Sequence, residues 1–155
     1  CASPLARAQE TARPLARAKG LPLQRVRGLA EMQVGEWQGQ SLRRLSQTKL
    51  WPIIQHTPSL ARFPGGESFP EAQARIVAAL EALRQKYGSP KAVVACFSHA
   101  DMIKLAVAHY VGLPLDSFQR LAVDPASVTA LHVRDDRAFL LRLNDTRATE
   151  AARRG

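Results

Sequence analysis

Residues 93–104 read Val-Val-Ala-Cys-Phe-Ser-His-Ala-Asp-Met-Ile-Lys, and this segment is the strongest indication of the fold class. Residues 92–97 are almost continuously apolar, which is typical of a strand buried on both faces of a sheet. Residues 102–111 then carry an apolar helix pattern that Gly112 ends. A strand joined directly to a helix is the unit of an α/β fold, in which ligands bind at the carboxyl ends of the strands. His99 is therefore predicted to lie at a binding cleft.

The clearest local signal precedes this stretch. Ser68 and Glu71 have the spacing of a capping box, in which each side chain bonds to the backbone of the other residue. The helix that they begin is predicted to run to about Tyr87, because Gly88 follows as a C-terminal signal.

A first helix is predicted at the start of the sequence. Ser3 is expected to cap it and Pro4 to be its first residue, an arrangement that helix starts favour. Pro14 predicts a kink or break near Arg13, since proline has no backbone N–H, and Gly20 is expected to end the helix.

The remaining segments are predicted as short elements and loops. These are an extended piece at 23–26, a loop at 28–39, a helix at 41–50 stopped by Trp51-Pro52, a loop at 53–66, and strands at 128–133 and 139–143 joined by a charged turn at 134–137. The alternation predicts a three-layer α/β/α sandwich with a mainly parallel sheet and an antiparallel edge. We expect one domain over 1–145, with 40–66 as a small lid, and a polar tail at 146–155 that frays.

The composition restricts the class of protein. The 155 residues are 46% hydrophobic, enough for one core, and no apolar run approaches membrane-spanning length. Two cysteines cannot form a disulfide scaffold, so a cytoplasmic protein is predicted. The net charge of +9 favours anionic partners, but the basic residues are scattered, so nucleic-acid binding is not expected. These patterns do not predict an oligomeric state.

Three side chains are candidates for chemistry. His99 follows a strand, where its imidazole would face the cleft, although a hydrogen-bonded structural histidine is the alternative. Arg7 lies one turn into the first helix and could bind phosphate oxygens with both arms of its fork, or lie free at the surface. Glu31 lies in the loop at 28–39, where partial burial would raise its pKa and suit it to proton donation; an exposed carboxylate is the alternative.

Other kinds of site are not expected. His56, His99, His109 and His132 are too far apart in sequence to indicate a metal site. The sequence also contains no Gly-x-Ser-x-Gly elbow and no Walker-type phosphate loop. We therefore expect no metal site.

Four segments, in order, resemble motifs of the histidine phosphatase superfamily, the phosphoglycerate-mutase-like phosphatases and mutases. They are Ser3 to Ala12 with Arg7, Leu29 to Gly39 with Glu31, Pro64-Gly65-Gly66-Glu67-Ser68, and Phe97-Ser98-His99-Ala100, where glycine is commoner than Ala100. Residues 118–127 are similar to a bacterial subgroup of probable phosphomutases. The resemblance implies a phosphoglycerate-mutase-like fold and a phosphorylated small molecule as the substrate.

The resemblance also implies a mechanism. A histidine attacks phosphorus and carries the phosphoryl group. Arg7, His99 and Ala100 bind phosphate, and Glu31 protonates the leaving oxygen. The implied mechanism needs neither a metal nor an organic cofactor. In the family the attacking histidine lies in an Arg-His-Gly motif upstream of the Arg7 motif. We therefore expect a sequence that lacks the family's first strand and helix, and little hydrolysis by these 155 residues alone.

Two further functions remain open at this point. A phosphomutase of the same family uses the same residues, and a phosphate-binding module would keep Arg7 and His99 without catalysis. The predicted lid at 40–66 is short, which favours hydrolysis over phosphoryl transfer within the site. Arg43 and Arg62 in this segment, with Trp37 beside it, are the candidates for substrate selection.

Overall fold

A computed structural model describes residues 1–89, 91–134 and 137–147. Its helices are α1 (Ala6–Ala18), α2 (Leu42–Leu45), α3 (Leu50–His56), α4 (Phe69–Lys86) and α5 (Ala100–Val111), and its strands are β1 (Val128–Arg134) and β2 (Arg137–Asp145). Single turns of 3₁₀ helix lie at Arg27–Leu29, Gly35–Trp37 and Pro58–Leu60, and a longer one at Leu115–Arg120.

The core forms where α4 and α5 pack together. Ile76 of α4 and Met102 and Leu105 of α5 are fully or almost fully buried there. Phe69, at the start of α4, packs at 5.4 Å between ring centroids against buried Phe118. Burial of such side chains is the main favourable term in folding, so this helix pair is the framework that other segments join.

Short parallel pairings connect three separate segments. Ala2 forms one parallel bridge to Arg25 and another to Phe97. Residues 1–3 therefore lie between residues 24–26 and 95–97, and all three segments run in one direction. The extended piece predicted at 23–26 is thus confirmed, and α1 and α5 each begin where one of these segments ends.

The prediction that 92–97 is a strand buried on both faces is wrong. The segment pairs along one edge only, with residues 1–3, and Val93 is 95% exposed. No other part of the chain that the structure describes pairs with the opposite edge. An apolar run signals burial only where another element covers it, and the sequence pattern of one segment cannot show that.

The C-terminal hairpin is antiparallel, as predicted. β1 and β2 pair from Val128 opposite Asp145 to Arg134 opposite Arg137, with an irregularity near Ala130. Within the described ranges these two strands form the only ladder. The mixture of helices and strands as a whole fits an α/β fold. The layering of a mainly parallel sheet stays a prediction.

Neither Pro14 nor Pro52 ends a helix. Pro14 lies inside α1, so the predicted break near Arg13 is wrong, while the alternative of a kink stays a prediction; buried Ala8 and Ala12 hold the helix by tertiary packing. Pro52 does not stop a helix either. It lies in the first turn of α3, where its missing N–H would have no partner in the helix, so residues 53–56 are helical and not loop.

Ser3 is not the cap of α1, and Pro4 is not its first residue. Leu5 occupies the capping position, and the helix starts at Ala6. Ser3 Oγ does accept the Leu5 N–H at 3.2 Å, but its side chain turns towards the interior and is fully buried. This position also brings the hydroxyl to the ring of His99.

Part of the predicted organisation lies outside the described residues. These parts are residues 135–136 of the predicted turn and residues 148–155 of the predicted tail. The single domain over 1–145 and the insertion at 40–66 also stay predictions. Among the helices that the structure describes, none combines the length and the apolar character needed to cross a membrane.

The capping box at α4 is confirmed and gives a stability test. Ser68 Oγ accepts the Glu71 N–H at 3.3 Å, and Glu71 Oε2 accepts the Ser68 N–H at 3.0 Å. We expect Ser68→Ala to lower the free energy of unfolding by about 1 kcal/mol, measured by urea denaturation. Ser41→Ala is the control, because Ser41 caps only the four residues of α2. Equal losses in the two variants would contradict a special role for the α4 cap.

Candidate active site

The site lies where the parallel segments at 1–3 and 95–97 lead into α1 and α5. His99 is the capping residue of α5, and its ring Nε2 lies 2.8 Å from Ser3 Oγ. Both side chains are buried, at 6% and 0% exposure. The hydrogen bond joins the ends of two segments that are far apart in sequence, and it fixes the plane of the imidazole.

Glu31 reaches the same point from the loop after Arg27–Leu29. Its Oε2 lies 3.4 Å from His99 Nδ1 and 3.3 Å from a terminal nitrogen of Arg7. Its Oε1 accepts the Met32 N–H at 3.1 Å. The structure therefore brings together Arg7, Glu31 and His99, the three candidates from the sequence, around one carboxylate oxygen.

Burial raises the pKa of Glu31 above its ordinary value. The Met32 N–H and the Arg7 cation act in the opposite direction, whereas the negative charge of Asp101 adds to the rise. A carboxyl group in such surroundings takes up a proton more readily than an exposed one, which suits it to general acid chemistry.

The pKa of His99 is lowered to about 4. Burial is the main cause, and the cations of Arg7 and Arg75 add to it. The ring is therefore neutral at physiological pH, so its 3.4 Å approach to Glu31 is a polar contact and not an ion pair. A neutral ring fits the geometry with Ser3 donating to Nε2 and the ring proton on Nδ1, facing Glu31.

Positive potential converges on this point. Arg7 lies in the first turn of α1 with its side chain 63% exposed, so most of its guanidinium faces solvent. Ala100 is the first residue of α5, whose opening N–H groups have no partners inside the helix. Two helix N-termini and one arginine make this a favourable place for a doubly charged anion.

A cavity of about 230 Å³ opens beside the site. Trp37, Trp51 and Phe63 line it, and Trp37 stacks on Trp51 at 6.4 Å between ring centroids. Asp101 also lines the cavity and acts electrostatically on Glu31, so it connects the two regions.

Of the three residues predicted to select the substrate, Arg43 and Arg62 do not line this cavity. Arg62 pairs with Glu71 of the capping box and donates to the Gly66 carbonyl at 3.2 Å. Arg43 is exposed on α2 and does not line the cavity. Trp37 is the only one of the three that the structure places at this cavity.

Arg75 is not among the site residues predicted from the sequence, although its position in the sequence carries a signal. Arg75 lies on α4 between the inward-facing residues Ala72, Ile76 and Ala79, and a charge on an apolar helix face demands a buried partner. Its guanidinium donates to the backbone carbonyl of Glu31. Ser3 was also missed as a partner of His99, because no local pattern links residues 96 positions apart.

The site has the donors and charges for acid–base chemistry on an anion. In residues 1–89, 91–134 and 137–147, no cluster of three or more His, Cys, Asp or Glu side chains is arranged to hold a metal ion. What these residues offer is a cation, a neutral imidazole, helix N-termini and a carboxyl group with a raised pKa.

Comparison with known proteins adds an independent observation. A family model described as the histidine phosphatase superfamily (branch 1) matches residues 1–146. Phosphoserine phosphatase 1 of Hydrogenobacter thermophilus is 28% identical over 149 residues, which are 93% of this chain and 68% of the relative.

Solved structures of phosphatases are similar as well. The α-ribazole phosphatase of Shigella flexneri matches with a TM-score of 0.77 and 27% identity, over 93% of this chain and 71% of that one. A mycobacterial glucosyl-3-phosphoglycerate phosphatase, solved with inorganic phosphate, matches with a TM-score of 0.78 and 27% identity, over 92% and 74%.

The lowered pKa of His99 can be measured by NMR titration of its ring. We expect the ring to stay neutral down to about pH 4, and we expect Arg7→Gln to raise the pKa by removing a nearby cation. As pH falls from 6.5 to about 4, the unfolded state takes up this proton before the folded state, so the free energy of unfolding falls.

A second variant isolates the contribution of this ring to stability. Glu31 has the opposite effect, because its raised pKa lets the folded state bind a proton first. The difference in unfolding free energy between the wild type and His99→Gln should therefore shrink from pH 7.5 to pH 4.5. A ring that titrates near 6.5 in the wild type would contradict this account.

Proposed function

Because this chain belongs to the histidine phosphatase superfamily, we propose that it hydrolyses phosphomonoesters of small molecules. The observation that carries the proposal is the meeting of Arg7, Glu31 and His99 around one carboxylate oxygen. The site lies at the start of two helices, and the relatives named above are all phosphatases.

In this proposal Arg7, His99 and the Ala100 N–H bind the phosphoryl oxygens. The exposed guanidinium nitrogens of Arg7 turn from Glu31 to the anion, and the Nδ1–H of His99 donates a hydrogen bond to a phosphoryl oxygen. Charge on the phosphoryl oxygens increases in the transition state, so donors that are already fixed in place stabilise it more than they stabilise the substrate. The Ser3 hydrogen bond provides that fixation for the ring.

Glu31 is the proposed proton donor. Its proton passes to the ester oxygen as the P–O bond breaks, so that the product leaves as a neutral alcohol. Glu31 then accepts a proton from the water that attacks phosphorus in the second step. Because the first step needs the protonated acid, kcat/KM should fall as pH rises above the raised pKa of Glu31.

The attacking group in the proposal is a histidine, which forms a P–N bond as the P–O bond breaks. His99 is engaged by Ser3 and has the role of binding phosphate. His56, His109 and His132 lie at the ends of α3 and α5 and on β1, away from Arg7 and Glu31. In the family that this chain resembles, the attacking histidine lies in an Arg-His-Gly motif upstream of the motif that matches Arg7.

A non-catalytic phosphate-binding module is the second candidate, and one observation favours it. His99 is the only histidine that the described residues bring to Glu31, and its ring is neutral and hydrogen-bonded. Such a module would bind inorganic phosphate without turnover. A phosphomutase would use the same residues, and transfer to a second acceptor distinguishes it from a hydrolase.

The cavity beside Glu31 is proposed to hold the leaving group. Its walls at Trp37, Trp51 and Phe63 are aromatic, which favours an apolar or planar group over a small charged one. The proposed substrate class is therefore a small phosphomonoester with an apolar part.

A cytoplasmic location and the absence of nucleic-acid partners remain predictions from composition.

Hydrolysis of p-nitrophenyl phosphate tests the proposal. It is measured for the 155-residue chain and for the same chain with the residues encoded upstream of it. We expect turnover in the longer protein, with Glu31→Gln lowering kcat at least about 100-fold. Arg7→Lys should weaken inhibition by inorganic phosphate, because lysine cannot reproduce the fork of arginine.

Each of these two variants has a matched control. Glu36→Gln changes a second carboxylate in the loop of Glu31, and Arg17→Lys changes a second arginine in the helix of Arg7. Neither control should change kcat or the inhibition by inorganic phosphate. Binding of phosphate without turnover in both proteins would refute hydrolysis and support the binding module. Full turnover by Glu31→Gln would refute the role of Glu31 as the proton donor.

A comparison of substrates tests the aromatic cavity. We expect Trp37→Ala to raise KM for p-nitrophenyl phosphate about tenfold, because an aromatic contact is lost. KM for O-phosphoserine, whose leaving group is small and polar, should change less than twofold. Arg43→Ala and Arg62→Ala, which alter residues outside the cavity lining, should leave the ratio of the two constants unchanged. A shift of this ratio in an arginine variant but not in Trp37→Ala would assign selection to the arginines.

A further inference from the structure

Arg75 makes an unusual number of contacts with the loop that carries Glu31. Its guanidinium donates to the carbonyls of Gly28 and Ala30, both at 3.0 Å, and to that of Glu31 at 3.3 Å. Three carbonyls within four residues thus converge on one side chain from α4. No other side chain of the described residues donates to so many carbonyls of this loop.

Glu67 holds the other edge of the same guanidinium. The two side chains form a two-point pair, with Arg75 Nε 3.1 Å from Glu67 Oε2 and a terminal nitrogen 2.6 Å from Oε1. Glu67 Oε1 also accepts the Gln33 N–H at 2.8 Å. Both side chains are mostly buried, at 22% and 12% exposure, where such a pair has little competition from water.

The loop therefore has a fixed position on either side of Glu31. Arg75 binds the backbone at and before Glu31, and Glu67 binds it two residues later. Close packing reinforces this, since a Cβ at Gly28 would lie 2.4 Å from Ala79 Cβ and 3.2 Å from the Arg75 carbonyl. The loop cannot move without breaking its hydrogen bonds to Arg75 and Glu67.

We propose that Arg75, held by Glu67, is a positioning residue that fixes the Glu31 carboxyl beside Arg7 and His99 for proton transfer. The inference rests on the proposed function, and Arg75 acts through the backbone without touching the substrate. A loop released from Arg75 would let Glu31 turn into solvent. Displacing a catalytic group by about 1 Å costs up to about 100-fold in rate.

The geometry requires arginine and not only a positive charge. Lysine carries its charge at one nitrogen and cannot reach three carbonyls and two carboxylate oxygens together. Arg75→Lys therefore removes the clamp while it keeps the charge. Arg84→Lys is the matched control, because Arg84 is on the same helix and pairs with Glu81 at 2.7 Å, away from the loop.

Hydrogen exchange of the full protein is the first measurement. We expect amide exchange in residues 28–33 to rise at least about tenfold in Arg75→Lys, because several hydrogen bonds to a charged group are lost. Exchange in α5 should be unchanged, and Arg84→Lys should match the wild type throughout. If amide exchange in residues 28–33 of Arg75→Lys is as slow as in the wild type, the proposal is overturned.

The pH profile of hydrolysis is the second measurement. The Glu31 carboxyl faces Arg7 from α1, the capping residue His99 and Asp101 from α5, and the Arg75 guanidinium from α4 binds the Glu31 backbone carbonyl. Arg75→Lys preserves all these charges. A released Glu31 is better hydrated, so its pKa falls and the loss of kcat/KM with rising pH begins at a lower pH. We expect kcat to fall 10- to 100-fold while KM for p-nitrophenyl phosphate changes less than about threefold.

The outcomes separate a positioning role from a purely structural one. A loss of activity in proportion to the loss of folded protein, with the pH profile unmoved, would overturn the proposal. If Arg75→Lys does not fold, Glu67→Gln carries the test, since it keeps a hydrogen bond to Arg75 and weakens the pair. If the wild type lacks hydrolysis, the proposed function fails, whereas faster loop exchange in Arg75→Lys would still support the clamp on Glu31.

Discussion

A partly buried ion pair between Arg75 and Glu67 holds the loop that carries Glu31 against α4. A charged group inside a protein is costly unless its hydrogen-bonding capacity is met, and Arg75 meets this condition with three loop carbonyls and the Glu67 carboxylate. Because those carbonyls belong to the segment around Glu31, the same bonds that satisfy the charge also attach the loop to α4. Loop position and charge compensation are therefore one interaction and cannot be optimised separately.

The site is built from groups that shift one another's protonation. Burial takes His99 and Glu31 towards their neutral forms, the ring with a pKa lowered to about 4 and the carboxyl with a raised pKa. Arg7 acts on both groups, since its cation lowers each pKa. A neutral imidazole and a carboxyl group shifted towards its protonated form, both beside an exposed arginine, make a positive region that favours a dianion and suit the carboxyl group to proton donation.

Two kinds of sequence signal gave different results. Several local signals held, because one segment suffices for them: the Ser68–Glu71 capping box, the end of α5 at Gly112 and the final hairpin are present. The local start signal at Ser3-Pro4 failed, since the buried Ser3 side chain binds His99 and α1 starts at Ala6. Signals that depend on neighbours failed. Val93 looked buried but is exposed, and Pro14 looked disruptive but lies within α1, because pairing and packing by distant segments decide both cases.

The family, the order of its motifs and the choice of Arg7, Glu31 and His99 as candidate site residues follow from the sequence, because residue types at fixed spacings carry that information. The folded chain is needed to show that these three side chains meet, that Ser3 binds the ring of His99 and that Arg75 holds the loop of Glu31. It also separated Trp37, at the aromatic cavity, from Arg43 and Arg62. The physical reason is that pKa shifts and clamps arise from burial and from contacts between residues far apart in the chain, and no local pattern encodes them.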